Sequence, residues 1–184
     1  MVLALSQSQL LEMEAHAERV YPEECCGLIV GNLDSLDDKP LKSVVEIVSL
    51  DNEWTPDALP SQPARTSTPL EVSTVAPPTK RRRYWIDPKD MLRVQREARE
   101  KGLNVIGIYH SHPDHVAEPS ECDRTLAWPV YSYVIVSVCE GKAVDVQNWA
   151  LDSKHQFQAE PIQQIERSCS ANLTQSATAV SSTR

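Results

Sequence analysis

Two near-continuous apolar runs, LNVIGIYHSH at 103–112 and VYSYVIVSV at 130–138, constrain the fold more than any other feature of this chain. Both are short for helices and rich in β-branched or aromatic residues, so they read as strands. A strand that is apolar at successive rather than alternate positions needs cover on both faces, and packed helices supply it. The helices are visible. In SQSQLLEMEAHAERV (6–20), Ser6 and Gln9 form a capping box, Leu10, Met13, Ala17 and Val20 recur at helical spacing, and Tyr21-Pro22 ends the segment. Asp87 caps a second helix with Pro88 at its first position, and Met91, Leu92, Val94, Gln95 and Ala98 carry it to Gly102. CCGLIVG (25–31), LKSVVEIVSL (41–50) and KAVDVQNWAL (142–151) read as further strands. The expectation is a single α/β domain with a mixed central β-sheet flanked by helices on both sides.

At 184 residues the chain has material for one core and too little for two. From Glu53 to residue 80 it holds six prolines among Ser, Thr and Ala, which predicts a disordered insertion over 53–80. The Ser/Thr/Ala-rich end, 161–184, reads as a low-complexity tail, which leaves 1–160 as the domain. A net charge of −8 argues against nucleic-acid binding, because neutralising phosphates needs a basic surface. Five cysteines, with Cys25 and Cys26 adjacent and no CxxC spacing, fit a reducing compartment better than a disulfide framework. MVLAL is too short and lacks the basic flank of a signal peptide, and no apolar stretch is long enough to span a membrane. A cytoplasmic location is expected.

The stretch HSHPDHVAEPSECD (110–123) carries the chemistry. Side chains at i and i+2 of a strand share a face, so His110 and His112 can converge on one cation. Zinc needs a third protein ligand. Ser120 and Asp123 stand one turn apart at a helix start, and Asp123 can supply the carboxylate. SxxD after a proline is equally a capping box, with Asp123 held by the backbone amides. Other groups compete less well. Asp114 and His115 lie in the loop without strand-face geometry, and His16 sits in a polar stretch of helix that reads as surface. Cys25 and Cys26 read as buried hydrophobes rather than a thiol nucleophile or zinc thiolates. The H-x-E and P-C-x-x-C pair of zinc deaminases is absent. Arg81 to Arg83 form a solvated run or a contact for an acidic partner.

HSHPDHVAEPSECD fits H-x-H-x(7)-S-x-x-D without a gap and resembles the metalloprotease motif of the JAMM (MPN-plus, Mov34/PAD-1) family, in its small stand-alone prokaryotic form. PEECCG (22–27) is similar to the family's upstream P-x-E-x-C-G and selects Glu24 over Glu23. The resemblance covers roughly 6–52 and 83–150. It implies a three-layer fold of the JAMM and cytidine-deaminase kind, and one zinc per chain held by His110, His112 and Asp123 with a water. It further implies Glu24 as general base and proton donor to the leaving amine, and Ser120 as hydrogen-bond donor to the oxyanion. The implied activity is peptide or isopeptide hydrolysis at the C-terminus of ubiquitin-like, β-grasp proteins, sulfur carriers included. Two alternatives stand beside it: a non-catalytic interaction module, and a zinc hydrolase of small amides.

Overall fold

Strand pairing dominates the architecture. The computed structural model describes residues 1–36, 39–57 and 79–166. In chain order its elements are β1 (Val2–Leu5), α1 (Gln7–Val20), β2 (Cys26–Leu36), β3 (Lys39–Leu50), α2 (Pro88–Glu100), β4 (Asn104–Pro113), α3 (Glu121–Leu126), β5 (Ser132–Cys139), β6 (Lys142–Leu151), β7 (Phe157–Ala159) and β8 (Ile162–Gln164). All eight strands join one mixed sheet in the order β7-β6-β5-β4-β2-β3-β1-β8. The apolar runs β4 and β5 lie side by side and parallel near its middle, and β2 runs antiparallel to both β3 and β4.

The expected helices form for the expected reasons. Ser6 Oγ accepts from the Gln9 amide and Gln9 Oε1 accepts from the Ser6 amide, closing the capping box of α1. Asp87 Oδ1 accepts from the Lys89 amide at the start of α2. The two helices cover opposite faces. Met13 and Ala17 of α1 pack with Ile29, Tyr109, Val134 and Val136. Val94 and Ala98 of α2 pack with Cys26, Leu28, Ile108 and Tyr133. Each large apolar side chain buried this way contributes about 1.5–3 kcal/mol. The successive apolar residues of β5 thus divide between two cores, as a doubly covered strand requires.

Three strands depart from expectation. β1, built from VLAL, pairs with β3 and β8. β7 extends the other edge of the sheet. β8 falls within the stretch expected to be tail, so the sheet reaches past residue 160: Leu3, Ala4 and Leu5 pair in parallel with Ile162, Gln163 and Gln164. The edges of the 53–80 stretch are also ordered by contacts. Trp54 is buried, and the Glu53 amide donates to the Trp85 carbonyl. Residues 58–78 and 167–184, which hold most of the expected insertion and tail, lie outside the described residues. His16 is buried rather than at the surface, its Nδ1 2.8 Å from the Tyr109 hydroxyl. A polar helix face conceals it because its partner lies far away in sequence. Among the described residues no helix is long and apolar enough to cross a membrane.

Candidate metal centre and cleft

Sheet register gathers residues that the sequence keeps far apart. Cys26 of β2 stands opposite His110 of β4. One step outward, the Cys25 amide donates to Ser111 Oγ (2.8 Å) and the Ser111 amide to the Cys25 carbonyl (3.2 Å). Antiparallel partners share a face, so continuing this register by one more step sets Glu24 across from His112. The chain then turns through residues 114–119 into α3, where Ser120 is the N-cap.

His110, His112 and Asp123 each offer one ligand atom, all within 4.8 Å of one another. The two Nε2 atoms are 3.1 Å apart, and they lie 3.6 Å and 3.8 Å from Asp123 Oδ1 and Oδ2 respectively. Tetrahedral zinc with bonds near 2.0–2.1 Å has ligand-to-ligand edges of roughly 3.3 Å, so the donor set fits that ion. Proton placement agrees. The Val116 carbonyl can only accept, so His112 Nδ1 donates to it (2.9 Å) and the Nε2 lone pair of the neutral ring faces the cluster. His110 is fully buried, and burial lowers its pKa to about 4, which keeps the ring neutral as metal binding requires. Its Nδ1 has no hydrogen-bond partner among the described residues; Tyr84 instead fixes the ring by stacking on it, with centroids 4.5 Å apart and planes at 24°. Burial alone would raise the Asp123 carboxyl, but the neighbouring imidazoles of His110 and His112 and the bond from the Ser120 amide outweigh it and lower its pKa. Burial works against charge on His112 too, yet the Asp123 carboxylate 3.8 Å away and the Val116 carbonyl raise its pKa overall, so a proton on Nε2 is what a bound cation would displace.

The helix-cap reading of SxxD also holds. The Ser120 amide donates to Asp123 Oδ2 (2.6 Å), and Ser120 Oγ accepts from the Asp123 amide (3.2 Å). Accepting that bond leaves the hydroxyl proton of Ser120 free to donate elsewhere. One box therefore caps α3 and orients both side chains.

Glu24, Ser120, His112 and Asp123 all line a cleft of about 720 Å³, a size suited to a peptide or small ligand. Glu24 is 6% exposed, and burial raises its carboxyl to about 8; Asp123 adds to the rise, while His112 and Arg83 oppose it. An apolar section of the wall was not anticipated: Trp85, Met91, Leu126, Trp128 and Tyr131. The signal for it, aromatic residues flanking the RRR run and α3, is compositional and does not reveal which face they share. Trp128 is 67% exposed, unusual for a side chain so large.

The weaker candidates resolve separately. Asp114 accepts from the Tyr21 hydroxyl and the Glu140 amide and pairs with Arg81, so it braces the loop and is not among the clustered ligands. His115 lines the cleft. Cys25 and Cys26 are buried, and burial pushes both thiols up, Cys25 to about 12, which makes them poor nucleophiles. The arginine run is only partly solvated: Arg81 pairs with Asp114, while Arg82 and Arg83 turn to the cleft.

Known proteins agree with this geometry. The family model described as prokaryotic homologs of the JAB domain matches residues 6–152, well over half of the chain. Two curated relatives are desampylases. That of Haloferax volcanii is 38% identical over 55 residues, covering 29% of this chain and 40% of that protein. That of Pyrococcus furiosus is 32% identical over 76 residues, covering 40% and 51%. The matched segments thus span about half or less of those relatives. The solution structure of a Desulfitobacterium hafniense protein superposes with a TM-score of 0.64 at 28% identity, covering 90% of this chain and 94% of that one. A Salinibacter ruber protein gives 0.59 at 30%, covering 91% and 93%. With the HxH–Ser–Asp arrangement on a doubly covered mixed sheet and a family match spanning nearly the whole described domain, the chain belongs to the JAB (JAMM/MPN) family, in its prokaryotic branch.

Proposed function

We propose that this chain is a zinc-dependent isopeptidase or peptidase that cleaves at the C-terminus of ubiquitin-like, β-grasp proteins. The observation that carries the reading is the convergence of His110, His112 and Asp123 at a cleft that also holds a buried glutamate and a serine hydroxyl with a free proton. The desampylase relatives support the substrate class.

His110 Nε2, His112 Nε2 and Asp123 would hold the ion. Bound there, zinc supplies a Lewis acid that polarises a carbonyl and acidifies water. Glu24 takes the proton of the attacking water at its carboxylate and returns it to the leaving amine. Its burial raises its basicity toward the working pH, where a general base is most effective. Ser120 donates its hydroxyl proton to the developing oxyanion, an interaction worth a few kcal/mol. Trp85, Trp128 and Tyr131 give an extended tail an apolar wall and exclude water from it.

The test is cleavage of a β-grasp carrier extended beyond its C-terminal Gly-Gly, with and without chelator. Purified protein should hold about one zinc per chain. His112→Ala should lose the metal, and Glu24→Gln should keep the metal while cleavage falls by 10²-fold or more, as expected on removing a general base. A correctly folded protein that binds no zinc, or full activity in Glu24→Gln, would overturn the reading.

A further inference from the structure

The backbone of Glu24 is held from both sides. Its amide donates to the Lys80 carbonyl at 2.8 Å, and its carbonyl accepts from Asn52 Nδ2 at 2.9 Å. Asn52 lies just beyond β3 and is buried. Its second Nδ2 proton goes to the Arg83 carbonyl at 2.9 Å, and its Oδ1 accepts from the amides of Trp54 (3.0 Å) and Trp85 (3.2 Å). Two donors and two acceptor positions are all that a primary amide has, and every one is taken by backbone. Carbonyls only accept and amides only donate, so the orientation of the side chain is fixed by its partners.

These bonds join three pieces of chain that meet nowhere else in a regular ladder: the lead-in to β2 at Glu24, the exit of β3 at Trp54, and the segment 79–86. That segment forms a wall of the cleft through Arg83 and Trp85 and places Tyr84 on the ring of His110. Glu24 itself precedes β2, so the β2–β4 register brings it near the site but its own amide and carbonyl make their bonds outside the ladder.

We propose that Asn52 is a positioning residue of the hydrolytic site: its amide clamps the Glu24 backbone to the 79–86 wall and so sets the distance between the Glu24 carboxylate and the metal cluster. The proposal rests on the isopeptidase reading for the role of Glu24. The nearest substitutes cannot make all four bonds. Asp presents oxygen to two carbonyls, Gln is a methylene too long, and Ser or Thr has one donor.

Asn52→Asp separates the two halves of the clamp. It keeps the acceptors for Trp54 and Trp85, so the wall stays tethered at Trp85, but it loses both donors, to the Glu24 and Arg83 carbonyls. With the carrier fusion as substrate, kcat should fall by about 10–100-fold, the effect of a misplacement near 1 Å. KM should stay close to the parent value, and zinc content should be unchanged. Asn52→Ala should lower kcat and raise KM together, since the wall is released as well. Amide hydrogen exchange gives an arm independent of turnover. In Asn52→Asp the Glu24 amide should lose protection, while those of Trp85 and of β4 keep theirs. Parental kcat in Asn52→Asp, or a loss of kcat explained by lost zinc, would overturn the proposal, as would unchanged protection at Glu24. If the wild-type chain cleaves no carrier fusion, the isopeptidase reading fails. The exchange arm then decides whether Asn52 holds Glu24.

Discussion

Gly27 is the position where one methyl group should do most damage. It follows Cys26, the residue whose register against His110 carries Glu24 to the site. A Cβ at Gly27 would lie 2.3 Å from Tyr109 Cε1 and 2.4 Å from the Val48 carbonyl oxygen, about 1 Å short of ordinary van der Waals contact on both sides. Neither neighbour can yield cheaply. Val48 O is backbone of the adjacent strand β3. Tyr109 is fully buried, with its hydroxyl within 2.8 Å of His16 Nδ1 and 2.9 Å of Ser49 Oγ. Overpacking typically costs about 1–3 kcal/mol, and two rigid neighbours put Gly27→Ala at or above the top of that range. For a domain of this size, 2–3 kcal/mol lowers Tm by about 4–12 °C. Thermal unfolding followed by circular dichroism measures it. The β2–β3 pair must spread to admit the methyl, so activity should fall with stability even though Gly27 is not itself one of the clustered His and Asp residues. An unchanged Tm in Gly27→Ala would refute the claim that this contact is closed on both sides.

Two further expectations concern the buried polar groups. Tyr109→Phe strips His16 Nδ1 and Ser49 Oγ of a shared partner inside the core, which should cost about 1–3 kcal/mol in a urea titration; a cost near zero would mean that neither group depends on the bond. Lys42 is buried, donates to Ser132 Oγ at 2.9 Å, and has its pKa lowered mainly by burial. Below its ordinary value the unfolded chain therefore binds more protons at this site, so stability from Lys42 rises with pH up to that ordinary value. Lys42→Met should flatten that rise in urea midpoints, and parallel profiles for the two proteins would count against it.

Local chemistry was legible and long-range pairing was not. The capping boxes at Ser6 and Ser120, the Asp87-Pro88 start of α2 and the doubly covered β4 and β5 follow from spacing alone, because their causes lie within a turn or a strand. The pairing of His110 with His112 is likewise local. Glu24 was reachable only through the PEECCG resemblance, since its place opposite His112 depends on a β2–β4 register that no local pattern encodes. Strands β1, β7 and β8 are four residues or fewer and take their stability from neighbours rather than propensity. Asn52 left no trace, because all its partners are backbone groups and the identities of those residues are immaterial to the bonds. His16 misled for the same kind of reason, its partner Tyr109 being supplied by β4.

The parallel pairing of β1 with β8 bears on how the protein comes into being. On a ribosome β1 emerges well before β8, the last described strand, so one flank of β1 stays open until Ile162–Gln164 appear. Contacts of such sequence separation close late and slowly, and the waiting strand is a site for mispairing meanwhile. Glu160, just before β8, is buried, accepts from Asn148 Nδ2 and Ser132 Oγ, and draws the returning chain against β5 and β6. A chain stopped at residue 160, where the composition changes, would carry every residue of the proposed site and still leave its first strand half-paired.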